Sequence, residues 1–197
     1  SILLKCILGL TEYSGQILYN GKPLERQNRE VLYNNSGMLF QGGALFDSLN
    51  IWRNISFSAL QNKISEKECK KMAIETLEKV GLNPNVADLY PSELSGGERQ
   101  RVVIARALCL KPKLIICDEC VSALDKSIQF SILKLLDNLK KEMKLTYIFI
   151  SHDLALVKIM SDRIIVLKDG QIVDENPTNN LFKNPKKYTK KLIDAII

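Results

Sequence analysis

Leu114-Ile115-Ile116-Cys117-Asp118-Glu119 is a continuous apolar run that ends abruptly in two carboxylates. A second run, Thr146-Tyr147-Ile148-Phe149-Ile150, follows a stretch of helical periodicity over residues 127–143, in which Ile128, Ile132, Leu135, Leu136, Leu139 and Met143 fall on one stripe. Continuous apolar runs are the pattern of parallel strands buried on both faces. Strand, helix, strand order then predicts a parallel α/β sheet with right-handed crossovers, whose ligands gather at the carboxyl ends of the strands. Gly37-Met38-Leu39-Phe40 supplies a third strand. Further out, Asn20-Gly21 beside Ile17-Leu18-Tyr19 is a strong hairpin signal. The device recurs where Ile164-Ile165-Val166-Leu167 and Ile172-Val173 flank Lys168-Asp169-Gly170-Gln171. Residues 58–92 change character to polar amphipathic helix, with Cys69, Met72, Ala73, Leu77 and Val80 inward over 66–80, and predict an inserted helical subdomain at about 58–97.

Composition places the chain among ordinary globular domains: 197 residues, 46% hydrophobic and 25% charged. No run approaches the roughly 18–20 apolar residues that a membrane-spanning helix needs. Ser1-Ile2-Leu3-Leu4-Lys5-Cys6-Ile7-Leu8 has no initiator Met, basic leader or cleavage site, and is read as interrupted domain rather than signal peptide. Five cysteines, an odd number without secretory features, point to a reducing compartment. Cys117 and Cys120 form a C-x-x-C, but no second pair matches it, so buried thiols are favoured over a metal or redox site. The net charge is +6, with Lys186, Lys187, Lys190 and Lys191 clustered near the end. No aromatic or glycine-rich RNA-binding pattern accompanies them, so a solvated helix face is expected and no nucleic-acid partner.

Asp118 and Glu119 sit where a buried strand meets the ligand crevice. In phosphoryl transfer one such Asp holds Mg²⁺ and a neighbouring Glu polarises the attacking water, although an Asp-Glu pair also begins helices and by itself leaves both roles open. In Leu94-Ser95-Gly96-Gly97-Glu98-Arg99-Gln100-Arg101, Ser95 and Glu98 form a capping box that opens a helix. Two glycines there leave backbone N–H groups accessible, which makes an anion site as well as an ordinary cap.

Leu94–Arg101 resembles the signature motif of the ABC ATPase family, and Leu114–Glu119 follows at the distance of that family's Walker B strand. Gln41, after Gly37–Phe40, matches the Q-loop glutamine; Ser122-Ala123-Leu124-Asp125 resembles the D-loop; His152, the only histidine, matches the switch histidine in Ser151-His152-Asp153. The resemblance implies a P-loop NTPase-like parallel sheet core with N-terminal antiparallel strands and an inserted helical subdomain. It implies ATP and Mg²⁺ as cofactors, with Glu119 and His152 catalytic. Ser1, Gln41 and Asp118 would surround the metal, and Ser1, Gln41, Ser95, Gly96, Gly97 and Asp125 the nucleotide. Partners would be transmembrane permease subunits and a second ABC ATPase domain, on the cytoplasmic face of the plasma membrane.

Two departures stand out. Cys120 follows Glu119 where the family usually has Pro, which predicts a looser turn. Of the loop G-x-x-x-x-G-K-[ST] only the final residue, Ser1, has a counterpart, so residues 1–197 are expected to lack the first strands and most of that loop, and on their own to bind ATP poorly. A truncated, non-catalytic remnant is the corresponding alternative, and a soluble ABC ATPase of DNA repair or translation a further one. Gly37–Asp47 resembles ATPases of the lipid-trafficking Mla or Mce type. Val121–Asp125 and Asn184–Leu192 resemble peptide-importer ATPases, and the idiosyncratic Asn-Pro and Tyr-Thr tail favours the peptide type.

Overall fold

A computed structural model describes residues 2–40 and 45–195. Helix α1 (Ile2–Ile7) is followed by the short strands β1 (Leu18–Tyr19) and β2 (Lys22–Pro23), which pair antiparallel. Their turn is Asn20-Gly21, both at positive φ (52° and 75°), the conformation that makes Asn-Gly a hairpin signal. A 3₁₀ turn at Arg26–Asn28 and helix α2 (Glu30–Asn35) lead into strand β3 (Ser36–Phe40). Helices α3 (Ile51–Ile55), α4 (Phe57–Gln61) and α5 (Glu66–Lys79), two 3₁₀ turns and helix α6 (Gly96–Leu108) separate β3 from strand β4 (Leu114–Asp118). Helix α7 (Lys126–Met143) joins β4 to strand β5 (Thr146–Ile150). Helix α8 (Leu154–Met160), the hairpin β6 (Arg163–Lys168) and β7 (Gln171–Pro177), and helices α9 (Thr178–Lys183) and α10 (Lys187–Asp194) complete the described chain.

Strands β3, β4 and β5 form a parallel sheet in that order. Alternation along each strand explains why the apolar runs are continuous. Ile116 packs on one face with Leu4 and Leu8, flanked by Met38, Leu114, Ile148 and Ile150. Ile115 and Cys117 point to the other face, into the main core with Leu39, Tyr147, Phe149 and the buried sides of α3, α5, α6 and α7. Each fully buried Leu or Ile here contributes roughly 1.5–3 kcal/mol. On α7 the buried residues are Ile132, Leu133, Leu136 and Leu139; Ile128, Leu135 and Met143 border the core, so the real stripe is rotated slightly towards Leu133. On α5, Cys69, Ala73, Leu77 and Val80 are buried as expected, joined by Thr76, whose hydroxyl donates to the Met72 carbonyl.

Close approach also constrains the middle of the sheet. A side chain at Gly37 would place its Cβ 2.3 Å from the Ala107 carbonyl oxygen, so β3 and α6 pack backbone against backbone. The β6–β7 hairpin turns at Asp169 and Gly170, both at positive φ, and packs Ile164 and Val166 on Leu181 of α9. Asp174 of β7 is wholly buried and accepts hydrogen bonds from the Lys186 amide, the Thr189 hydroxyl and the Asn176 side chain, which pins α10 to the hairpin.

Candidate functional site

The sheet register builds the site's floor. Phe40, Asp118 and Ile150 form one row across β3, β4 and β5, so the chain leaves all three strands at the same edge, immediately before Gln41, Glu119 and Ser151. Gln41, like Ser1, lies outside the described residues. Asp118 is the last, partly exposed residue of β4. Glu119 then adopts a left-handed conformation with φ 50°, and its amide donates to the Ile150 carbonyl at 3.0 Å, tying the end of β4 to the end of β5.

Across that junction the Glu119 Oε1 lies 3.0 Å from Nδ1 of His152. With Glu119 ionised the carboxylate only accepts, so the proton sits on Nδ1, and Nε2 is left to accept in the neutral ring or donate in the cation. The His152 side chain is 74% exposed and that of Glu119 34%, so the pair faces solvent at the edge rather than the core. The loop carrying His152 is itself braced. Asp153 accepts from the amides of Ala155 and Leu156 at the start of α8, and its own amide donates to the Ser151 hydroxyl.

The start of α6 forms a second group. Ser95 accepts from the Glu98 amide while Glu98 accepts from both the Ser95 amide (2.9 Å) and hydroxyl (2.6 Å), the predicted capping box. These donors hold the Glu98 carboxyl below the usual carboxylate range. Space around Gly96 is open, and a Cβ on Gly97 would lie 3.6 Å from Ile128 of α7. The starts of α6 and α7 are therefore neighbours. Asp125 caps α7 by accepting from the amides of Ile128 and Ser127 and from the Ser127 hydroxyl, and these bonds, Ile128 foremost, depress its pKa. Each helix start carries a carboxylate, Glu98 on α6 and Asp125 on α7, favourably placed at the positive end of its dipole.

Glu119 and His152 thus meet beside Asp118, whereas Ser95, Gly96 and Gly97 lie at the start of α6 and Asp125 at the neighbouring start of α7. Sequence reasoning missed what links them. Gln100, one turn into α6 and only 7% exposed, donates from Nε2 to the Cys120 carbonyl at 2.8 Å. Gln129 of α7 donates to the Val121 carbonyl, and the Ser122 amide and hydroxyl both donate to the Glu119 carbonyl. These bonds hold the turn at Cys120. The available signal was a polar residue lying in line with Val103, Ile104 and Leu108 on the buried side of α6. Cys117 and Cys120 are both buried and in contact. The Cys120 thiol and burial hold Cys117 well above the ordinary thiol range, hence protonated.

A family model described as ABC transporter matches residues 1–122. The chain belongs to the ABC transporter family. Among curated relatives of this ABC chain, the oligopeptide transport ATP-binding protein OppF of Haemophilus influenzae is 42% identical over 205 residues, covering 100% of the chain and 62% of the relative. The methionine import ATP-binding protein MetN 1 of Oceanobacillus iheyensis is 37% identical, covering 100% of the chain and 60% of the relative. The chain spans 37–62% of the length of such relatives. Among solved structures, cbiO1 from Clostridium perfringens, part of the ABC transporter complex cbiONQ, superposes with a TM-score of 0.82 at 29% identity, over 99% of this ABC chain and 77% of that one. The dimeric bacterial ABC transporter cassette MJ0796 gives 0.74 at 29% identity, over 90% and 79%.

Proposed function

We propose that this ABC chain is the ATP-hydrolysing part of an importer for peptides, working as one half of a head-to-tail pair. The observation that carries the hydrolytic reading is the Glu119–His152 contact at the carboxyl edge of the sheet, one residue beyond Asp118. A carboxylate beside an imidazole at that edge orients a water for in-line attack on a terminal phosphate and steadies the charge that develops there. In this reading Glu119 aligns the water and accepts its proton, while His152 addresses the γ-phosphate through Nε2.

The donor set suits Mg²⁺ carried in on a nucleotide. Among the described residues no cluster of three His, Cys, Asp or Glu side chains is able to hold a metal alone. Mg²⁺ characteristically takes one or two carboxylates and completes its shell with phosphate oxygens and water, so Asp118 suffices from the described residues, with Ser1 and Gln41 proposed from the resemblance. When bound, the ion would neutralise phosphate charge. Ser95, Gly96 and Gly97 would serve the partner domain's nucleotide, with Asp125 beside the shared interface. The Ser95 hydroxyl is engaged by Glu98, so a phosphate must compete with that bond or take the helix amides instead. We read the helices around 58–97 as the subdomain that faces permease subunits. Among the described residues no helix is long and apolar enough to cross a membrane, so attachment there would run through such partners.

The peptide assignment draws on the Asn184–Leu192 tail and on the likeness to OppF. Its test is the full-length protein purified with its membrane partner: Mg²⁺-dependent ATP turnover stimulated by peptide supports the assignment. Stimulation by methionine or lipid and not by peptide would redirect the substrate, and no turnover at all would overturn the hydrolytic reading.

A further inference from the structure

Glu119 occupies backbone space that a side chain other than glycine enters only at a cost, with φ at 50°. Such a conformation persists only where surrounding bonds over-determine it. Three of these are made by the peptide groups of Glu119 itself: its amide to Ile150, and the Ser122 amide and hydroxyl to its carbonyl. Gln129 reaches the next carbonyl but one, that of Val121. The bond that comes from α6 is Gln100 Nε2 to the carbonyl of Cys120, the residue immediately after Glu119, in the Cys120–Val121 peptide unit. It is buried, and it crosses from the helix that Ser95 caps.

We propose that Gln100 is a positioning residue for Glu119, gripping the Cys120 carbonyl so that the carboxylate stays against His152, and that it thereby joins the start of α6 to the chain's own hydrolytic edge. This rests on the reading of Glu119 as the catalytic carboxylate. Gln100 lies five positions beyond Ser95, about 7.5 Å along the helix, short enough for the segment to move as one rigid piece. A shift of α6 when its start engages a nucleotide is then passed to the Cys120 peptide, and from there to Glu119. Gln100 touches no reacting atom; it acts only through the turn.

The test uses full-length protein. Gln100→Met keeps the length and burial of the side chain and removes the donor. Turnover is measured per bound ATP, so that any unfolded fraction drops out, alongside KM and hydrogen exchange at residues 119–122. Val103→Ala, on the same buried side of α6, serves as a destabilised comparator. For Gln100→Met the expected result is a fall in kcat of about 10- to 100-fold with ATP affinity little changed, as for a catalytic group misplaced by ~1 Å, and faster exchange at the turn. Val103→Ala should lower Tm but keep kcat per bound ATP. Undiminished kcat per bound ATP in Gln100→Met, or an equal loss in Val103→Ala, overturns this inference alone. Absence of turnover in the unsubstituted protein sinks the hydrolytic reading and this inference with it.

Discussion

Replacing Gly37 by Ala adds one methyl group where β3 meets α6. Built on the existing backbone, that carbon lies 2.3 Å from the Ala107 oxygen, 3.0 Å from the Ala107 carbonyl carbon and 2.8 Å from Cδ1 of Ile115. The Ile115 methyl is able to turn away, but the Ala107 carbonyl is helix backbone and is not. Carbon–oxygen contacts settle at about 3.3 Å or beyond, so α6 must retreat from β3 by about 1 Å. Overpacking of this kind costs about 1–3 kcal/mol. The expected result of urea unfolding is a loss of about 2 kcal/mol through a lower midpoint at unchanged m-value. Gly170→Ala is the comparator: φ is 77° there with nothing within 4 Å, so only backbone strain is added, about 1 kcal/mol. Because α6 carries Ser95–Gly97 and Gln100, Gly37→Ala should also slow turnover in the folded fraction, which Gly170→Ala should not. A Gly37→Ala protein within about 0.5 kcal/mol of the parent would refute the packing described between β3 and α6.

Other parts of the fold give equally direct expectations. Asp174→Asn, which removes the charge that three donors address in a buried setting, should cost about 3 kcal/mol in chemical unfolding and loosen α10. Burial raises the Asp174 pKa, but the Lys186 amide, Thr189 and Asn176 outweigh it and the net shift is downward. Its stabilisation is therefore present above the unfolded value of about 3.9 and is lost as pH falls through the lower folded value, so Asp174→Asn should flatten that acid limb of stability against pH. Asn54, wholly buried, accepts from the Phe46 amide and donates to the carbonyls of Phe46, Leu49 and Asn50. Asn54→Ala should cost about 2–3 kcal/mol and make residues 45–50 sensitive to protease before global unfolding.

What was legible in the sequence follows from how local each signal is. Strands β4 and β5 are evident because side chains on both faces pack against the cores, which makes Leu114–Cys117 and Tyr147–Ile150 continuous apolar runs, and the two tight hairpins because Asn-Gly and Asp-Gly tolerate positive φ. The reach of β7 to Pro177 was not, since Glu175 and Asn176 look like loop and become strand only by pairing with β6. Leu133 escaped the predicted stripe of α7 because the helix sits a fraction of a turn away from its ideal amphipathic setting. In the site, Asp118, Glu119 and His152 are visible as residues that follow strands. Their contact is not, because it depends on the sheet register and on the left-handed turn at Glu119. Gln100 is harder still: its partner lies 20 positions away and is a backbone carbonyl, which leaves no mark of its own on the sequence.

Glu119→Gln tests the central claim most directly, because it keeps the shape of the side chain and removes the charge that would receive the water's proton. In full-length protein with Mg²⁺-ATP, the account predicts a fall in kcat of about 10²- to 10⁴-fold while ATP binding and nucleotide-dependent pairing persist. Turnover equal to that of the unsubstituted protein would contradict it.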